Sequence, residues 1–470
     1  MAIEQGKWLE QLGQNPPIEM YRYTPIVGTK GPIYIIGNTS AALIEGSTST
    51  DPLSPDNPSP YDAYDSGGQM LPFASPESTV LVQMPGDENR EANIDIATQM
   101  YLLEIESLQR MGIATDVKVQ FVTNAHAHLA SLSAAKTDFR LTPLFLSTRL
   151  LGETNPQARA SAEVNDKVNF IRTLKSIDVP GVAVRVPDTY IFDAEQYPES
   201  GFPPVDELIA TAAEKGSTAL FFKQNVSAAG IGVEKVDIKD REKVEQVYAA
   251  WVDRMRQTQQ GGSTAWDFHI QIGVSSPKIS EADGAVESPC IVATIEGEGT
   301  DFKIQILQVA QQRIANGKNH IGNVIDPEYE ATFLAQHEDE LMAALRALAE
   351  KGVRGHVGID VILDTAENMY FIEVNPRLNG NSRCRILRDH LSPDAFVTTN
   401  NTVKLSADNL SNMEALRAFF FDPANPERAS LALTRFPRFI GDAMALDFIN
   451  DRDGMLERQV LALLQPPVTA

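Results

Sequence analysis

Residues Gly358 to Arg383 read GIDVILDTAENMYFIEVNPRLNGNSR. Two runs in and beside this stretch, Val357–Leu363 and Tyr370–Val374, are rich in β-branched and aromatic residues, and the polar segment Asp364–Asn368 separates them. That is the pattern of a hairpin. The turn fixes the register, and a turn centred between Ala366 and Glu367 sets Asp360 opposite Glu373. Opposed residues share one face, with Cβ atoms roughly 4.5–5.5 Å apart. The period of two adds Asn375, Gly358, Ile362 and Phe371 to it. A solvated acidic strand is the plain alternative, but a face that also carries Gly358, Ile362 and Phe371 is not a simple water-facing stripe.

Like charges directly opposite one another destabilise a sheet, so Asp360 and Glu373 call for a cation. Magnesium suits the set Asp360, Glu373 and Asn375: it takes hard oxygen ligands and is held by one or two carboxylates together with substrate phosphates. Manganese shares that preference. Arg377 follows two residues later, where a guanidinium can clamp a transferring phosphoryl group. The tail Asn375-Pro376-Arg377-Leu378-Asn379-Gly380-Asn381-Ser382-Arg383 leaves the strand through a Pro and a Gly and suits a binding loop. The loop Asn379–Ser382, with Asn379 and Gly380, and Arg383 are its substrate-binding candidates.

Upstream, Ala219–Lys223 is an apolar strand ending in a lysine, and Ser227-Ala228-Ala229-Gly230-Ile231-Gly232-Val233 follows it. Small residues let the backbone approach a ligand, and successive N–H groups cradle phosphate oxygens while Lys223 supplies charge. A strand followed by a flexible turn is the bland reading of the same residues. Asp166-Lys167 opens a helix that runs into Val179-Pro180 and a strand expected at Gly181–Val186. Phe268–Val274 alternates as a half-buried strand. Strands follow at Ile291–Ile295 and Phe302–Val309, the second continuing to Gln311-Gln312-Arg313, where Arg313 is a further substrate-binding candidate. Gly317–Gly322, with Asn319 and His320, reads as a substrate or phosphate loop. Ala331–Lys351 is an amphipathic helix with Phe333, Leu341, Leu345 and Leu348 on one side and Gly352 as its stop.

The chain has 470 residues, 43% of them hydrophobic and 22% charged, enough for two or three domains with sizeable cores. A net charge of −23 with scattered Lys and Arg argues against a nucleic-acid partner. The two cysteines, Cys290 and Cys384, are far apart and give neither a disulfide framework nor a zinc spacing. No apolar run approaches the roughly 18 residues of a membrane span, and the N-terminus has no signal-peptide core. A cytoplasmic protein with no membrane partner is expected.

The first 155 residues read as an α/β domain. Strands are expected at Pro32–Ile36, Thr79–Gln83 and Val117–Val122, with a helix from about Glu91 to Arg110. The segment 46–78 is a long excursion rich in Ser, Pro, Asp and Gly. His126 and His128 read as turn residues. Residues 391–470, with helices expected at Met413–Phe421 and Gly454–Leu464, read as a helical cap or a dimerisation element, so a homodimer is one expectation.

The hairpin and what precedes it resemble the ATP-grasp superfamily, over roughly residues 160–390. An acidic residue on one strand and Glu-x-Asn on the next match that family's magnesium and phosphate ligands. Asp360, Glu373 and Asn375 have the spacing of the D-alanine–D-alanine ligase branch, and Asn375-Pro376-Arg377 looks like the carboxylase and amino-acid ligase branches. Gly358 stands where the D-alanine ligases carry an Arg. The N-terminal part, with Tyr101-Leu102-Leu103-Glu104, resembles the pre-ATP-grasp domain of pheganomycin-type peptide ligases.

The resemblance implies a pre-ATP-grasp α/β domain over 1–155, an ATP-grasp domain of two α+β subdomains clasping ATP over 156–390, and the helical cap. It implies that Lys167 and Lys223 neutralise the nucleotide phosphates under a lid with Gly230 and Gly232. Gln271 and Val274 would lie on the hinge that meets the adenine. Lys223 and Arg377 would assist phosphoryl transfer, and Arg313, Asn379, Gly380 and Arg383 would grip the substrate. The implied activity is an ATP- and magnesium-dependent ligation of a small carboxylate, an amino acid or peptide, to an amine, releasing ADP and phosphate. A carboxylase, a thiol ligase, or a nucleotide-binding regulator without turnover remain as alternatives.

Overall fold

A computed structural model of the chain describes residues 33–36, 78–83, 118–122, 140–143, 155–192, 203–225, 232–260, 267–280, 285–315, 319–382, 394–404, 431–435 and 443–464, with short pieces within 105–109, 128–135 and 384–388. Its first four strands are β1 (Ile33–Ile36), β2 (Ser78–Gln83), β3 (Lys118–Val122) and β4 (Arg140–Pro143), in the order β3-β2-β1-β4. All their pairings are parallel. Parallel neighbours need crossovers, which suits the expected α/β layer. Within the expected helix over 91–110, Ile105 and residues 107–109 are helical and the rest lies outside the described residues. So do residues 46–77, His126 and the helix expected at Met413–Phe421. His128 begins a short helical piece, where its carbonyl accepts the Ser131 hydroxyl at 2.7 Å.

Two helices then lead to the site. Helix α1 (Pro156–Asn165) has Asn155 as its cap and Pro at its first turn. Helix α2 (Lys167–Lys175) is capped by Asp166, whose carboxylate accepts the N–H groups of Val168 and Asn169 at 2.9 Å. A four-stranded antiparallel sheet follows: β5 (Thr189–Phe192), β6 (Ala219–Gln224), β7 (Val233–Asp237) and β8 (Phe268–Ile272), in the order β5-β8-β6-β7. Helices α3 (Val205–Glu214) and α4 (Arg241–Gln260) cover one face, burying Leu220, Phe222, Phe268 and Ile270 against Leu208, Val244 and Trp251. The alternating residues Lys223, His269 and Gln271 point to the other face.

Two expectations fail in this part. Residues 181–186 are not a strand: Pro180-Gly181 makes a turn, with Val182 N–H on the Val179 carbonyl, and only Arg185 bridges, to Tyr370. The strand expected over Phe268–Val274 ends at Ile272, and it is buried on both faces instead of one because it lies inside its sheet with a second layer on each side.

The large sheet holds β9 (Pro289–Glu298), β10 (Asp301–Ala315), β11 (Asn319–Ile325), β12 (Gly355–Leu363), β13 (Met369–Asn375), β14 (Val397–Lys404), β15 (Leu431–Arg435) and β16 (Ala443–Ile449). Their order is β13-β12-β9-β10-β11-β14-β16-β15, antiparallel throughout. Helix α5 (Pro327–Glu350) lies with α1 and α2 against one face, and Phe333, Leu341, Leu345 and Leu348 sink between Ile291, Val357, Ile359 and Phe371.

The hairpin register holds at its open end: Asp360 faces Glu373 and Gly358 faces Asn375. It slips between Asp360 and Val361, so that Val361 faces Phe371 and Ile372 is the extra residue of a bulge. Phe371, expected beside Asp360, is therefore turned into the core. The expected loop at 317–322 is strand from Asn319 onward, because β11 pairs with β10. Nor is the C-terminal part only helical: β14, β15 and β16 extend the large sheet, and α6 (Met455–Leu464) packs beside them.

Candidate functional site

Opposed strand positions share a face, so the pairings trace one row across the large sheet: Glu373, Asp360, Cys290, Ala310. The face opposite the helices thus carries the acidic pair. Asp360 is held from two sides, by Gln312 Nε2 on Oδ1 at 2.6 Å and Asn375 Nδ2 on Oδ2 at 3.1 Å. Asn375 also reaches Glu373 Oε1 at 3.4 Å, and its own Oδ1 accepts Arg377 Nη2 at 2.6 Å. Arg377 is folded back over the strand it follows, and its buried Nε has no partner.

Two lysines close over this face. Lys167 Nζ, at the start of α2, lies 3.4 Å from Glu373 Oε2. Lys223 projects from the small sheet and donates to Gln271 Oε1 at 2.6 Å. Beside it His269, wholly buried, takes Asn225 Oδ1 at 3.0 Å on Nδ1, and its Nε2 has no partner; nor has Gln271 Nε2. The two sheets therefore face each other across a layer of buried polar groups.

The electrostatics follow from that burial. Asp360 is pushed from 3.8 up to about 7, first by desolvation and then by the charge of Glu373. Burial alone would raise Glu373 too, but Lys167, Lys223 and Arg377 together hold it below its ordinary value. Lys223 falls to about 8 because it is buried and lies near Lys167, although Glu373 and Asp360 oppose the shift. His269 is held well below the usual histidine range by burial and both lysines, so it stays neutral. The Cys290 thiol is pushed up by burial and by Asp360, which leaves it protonated and unreactive.

Of the residues singled out in the sequence, Asp360, Glu373, Asn375, Arg377, Lys167, Lys223 and Gln271 come together here. Gly232 borders the small sheet at φ +68°, and a Cβ there would overlap the Gln224 side chain, so glycine is needed at this turn. Val274 is half-buried just past β8, where the Gly273 N–H binds the Ala219 carbonyl. Asn379 caps its own loop, its Oδ1 accepting from Asn381 N, Ser382 N and Ser382 Oγ within 3.2 Å. Gly380 lies near His320 and Asn401. Arg313 is engaged elsewhere, with Glu457 at 2.9 Å and the Thr399 carbonyl at 3.2 Å. Gly230 and Arg383 lie outside the described residues.

Sequence reasoning did not single out Cys290, Gln308 or His269, and it held Asn381 only as part of the Asn379–Ser382 loop. Cys290 and Asp360 are 70 positions apart and meet only through the pairing of β9 with β12. No local pattern encodes that register. Among the described residues no three His, Cys, Asp or Glu side chains cluster as a metal site, which leaves two carboxylates and an amide. That donor set fits a hard divalent cation, which would remove the cost of burying Asp360 and Glu373 together. As placed, Asn375 turns its NH₂ to both carboxylates, so ligation through Oδ1 requires the amide to turn over and release Arg377.

Residues 290–381 match the ATP-grasp domain family model, and the two α+β layers that close on these lysines and carboxylates have the ATP-grasp fold. Across 95% of this chain and all of the other, the structure resembles N5-carboxyaminoimidazole synthetase from Staphylococcus aureus in its complex with ADP, at 11% identity and a TM-score of 0.51. An L-amino acid ligase from Bacillus licheniformis aligns over 93% of this chain and 98% of its own at 12% identity, TM-score 0.48. Biotin carboxylase from Campylobacter jejuni, solved with β-γ-ATP, aligns over 75% and 85% at 12% identity, TM-score 0.47. No curated protein sequence matches the chain. Among the described residues no helix is long and apolar enough to cross a membrane.

Proposed function

We propose that the chain is an ATP- and magnesium-dependent carboxylate–amine ligase that makes an amide from two small molecules. The observation that carries this reading is the meeting of Asp360 and Glu373 with Lys167, Lys223 and Arg377 inside an ATP-grasp fold. Phosphoryl transfer asks the protein chiefly for positioning and charge neutralisation, and this set supplies both. Asp360, Glu373 and a turned Asn375 would hold magnesium, which supplies neutralisation of the phosphate oxygens when bound. Lys167 and Lys223 neutralise the remaining phosphate charge from the opposite side. The glycine turn at Gly232 borders the nucleotide, and Gln271 to Val274 line its base.

In the first step a carboxylate oxygen of the substrate attacks the γ-phosphorus, the bond to the β-bridging oxygen breaks, and ADP leaves. Arg377 stabilises the charge spread over the transferring group. In the second step the amine nitrogen attacks the acyl carbon and phosphate departs with the bonding electrons. Asn379 and Gly380, with Arg383, are proposed to hold the carboxylate substrate. The protein is proposed to work in the cytoplasm, and the acceptor is what separates it from a carboxylase or thiol ligase of the same fold.

The test is magnesium-dependent release of ADP and phosphate with pools of amino acids and other small carboxylates, using Glu373→Gln as the blank. Release raised by a carboxylate and an amine supports the ligase. Release that needs bicarbonate or a thiol instead transfers the chain to another acceptor class, and ATP binding without release in any pool would leave a regulator.

A further inference from the structure

We propose that Gln308 and Asn381 form the acceptor subsite and select a primary amine, held through both of its N–H bonds. This rests on the ligase reading above and specifies its second substrate. Gln308 is 0% exposed and Asn381 4%. Gln308 Nε2 donates to the main-chain carbonyl of Asn381 at 3.3 Å, which fixes the orientation of that amide and leaves Oε1 as the free end. Oε1 has no partner, and neither has Oδ1 of Asn381. Buried polar atoms are nearly always satisfied, so two acceptors without donors, on residues joined by that hydrogen bond, call for a group that brings hydrogens.

Their place in the sheet ties them to the reaction centre. Gln308 lies opposite Val292, which lies opposite Gly358, which lies opposite Asn375. It is thus on the face of β10 that also carries Gln312, the donor to Asp360. Asn379 occupies the space over Gly358, where a Cβ would overlap its amide nitrogen, and Asn381 follows it in the same loop. Gln308 therefore lies two strands from Asp360, roughly 10 Å in the pairing direction, in the row of Asn375, and the Asn381 main chain is tied to it.

A neutral primary amine has two N–H bonds and one lone pair. With both hydrogens on the two amide oxygens, the lone pair faces away from them and is free to attack the acyl phosphate. The new C–N bond forms as the acyl C–O bond to phosphorus breaks; phosphate leaves with that electron pair and takes the proton the nitrogen sheds. A secondary amine or a thiol brings a single hydrogen and leaves one buried oxygen unsatisfied, a penalty on which a polar site can discriminate strongly.

The experiment uses the full chain with ATP, magnesium and the carboxylate that best raises ADP release, and compares hydroxylamine with N-methylhydroxylamine by hydroxamate formation. Hydroxylamine should half-saturate at a concentration about tenfold lower. Gln308→Met and, independently, Asn381→Leu should each raise that concentration about tenfold while the half-saturating ATP concentration moves less than about twofold. Equal use of the two nucleophiles, or unchanged hydroxylamine saturation in either soluble variant, overturns the subsite and leaves a buried water as the partner of these oxygens. Those results leave the ligase reading standing. Failure of every carboxylate to raise ADP release in the wild type ends both.

Discussion

Asp360 shows what burial does to a single residue. Its carboxyl is raised from 3.8 to about 7, so the folded protein holds a proton there that the unfolded chain has lost. Between those two values this group makes stability fall as pH rises, because the folded state binds more protons. Glu373, held below its ordinary value, acts the other way: it adds stability above that value and loses it as pH falls further. With Asp360 in the proposed ligand set, magnesium would have to displace its proton, so the increase in melting temperature that excess magnesium produces should be larger at pH 8 than at pH 6. Asp360→Asn should abolish the difference; a magnesium effect independent of pH in the wild type would remove Asp360 from the ligand set. Arg377 makes a second residue-scale prediction. Arg377→Ala should lower the turnover of ADP release by about 10²–10³-fold while ATP dissociation constants stay within about threefold, and equal losses in both would deny it a chemical role. The facing of Asp360 and Glu373 was legible because five residues of turn separate two short strands. The bulge at Ile372 was not: Tyr-Phe-Ile-Glu reads as plain alternation, and only the buried positions of Phe371 and Val374 reveal the extra residue.

Elements were legible where their ends are marked. The start of α2 is written as Asp-Lys, and the Asp166 cap does two things at once: it satisfies two N–H groups and fixes the first turn from which Lys167 reaches Glu373. The Lys167 N–H is also tied to the Asn225 carbonyl at 2.9 Å, at the end of β6. Asp166→Ala should therefore cost about 1 kcal/mol of stability, seen as a lower denaturation midpoint, and should also weaken ATP binding by several-fold. A stability loss with unaltered ATP affinity would reduce the cap to a local role. By contrast α3 begins after Pro204 without any side-chain cap, and only Asp206 and Glu207 in its first turn mark its start. The polar, glycine-bearing first half of β11 reads as a loop. Its Gly322 serves the neighbouring strand, since a Cβ there would collide with the Thr399 carbonyl, and a need set by a partner some 75 residues away leaves no local mark.

At the scale of the molecule, the ATP-grasp sheet does not stop at the loop after Arg377. Strand β14 pairs with β11 and β16 with β14, so the last strands share hydrogen bonds and a buried face with the strands that carry the site. Val397, Leu446 and Phe448 are fully buried there. Arg313 clamps the join: it holds Glu457 of α6 at 2.9 Å, and Glu457 also accepts Asn400 Nδ2 at 2.9 Å. Glu457→Ala leaves two donors on β10 and β14 without that acceptor, and a lost buried partner costs about 1–3 kcal/mol. Chemical denaturation should show that loss with ATP affinity unchanged, since Arg313 faces away from Gln312 and the carboxylates. A chain ended at residue 396 goes further: it strips β11 of its neighbour and exposes an unpaired edge beside apolar residues, a template for aggregation. It should be recovered only as insoluble protein. If instead it stays soluble and binds ATP as the full chain does, the terminal segment is a separable cap and the sheet across β11 and β14 is dispensable to the site.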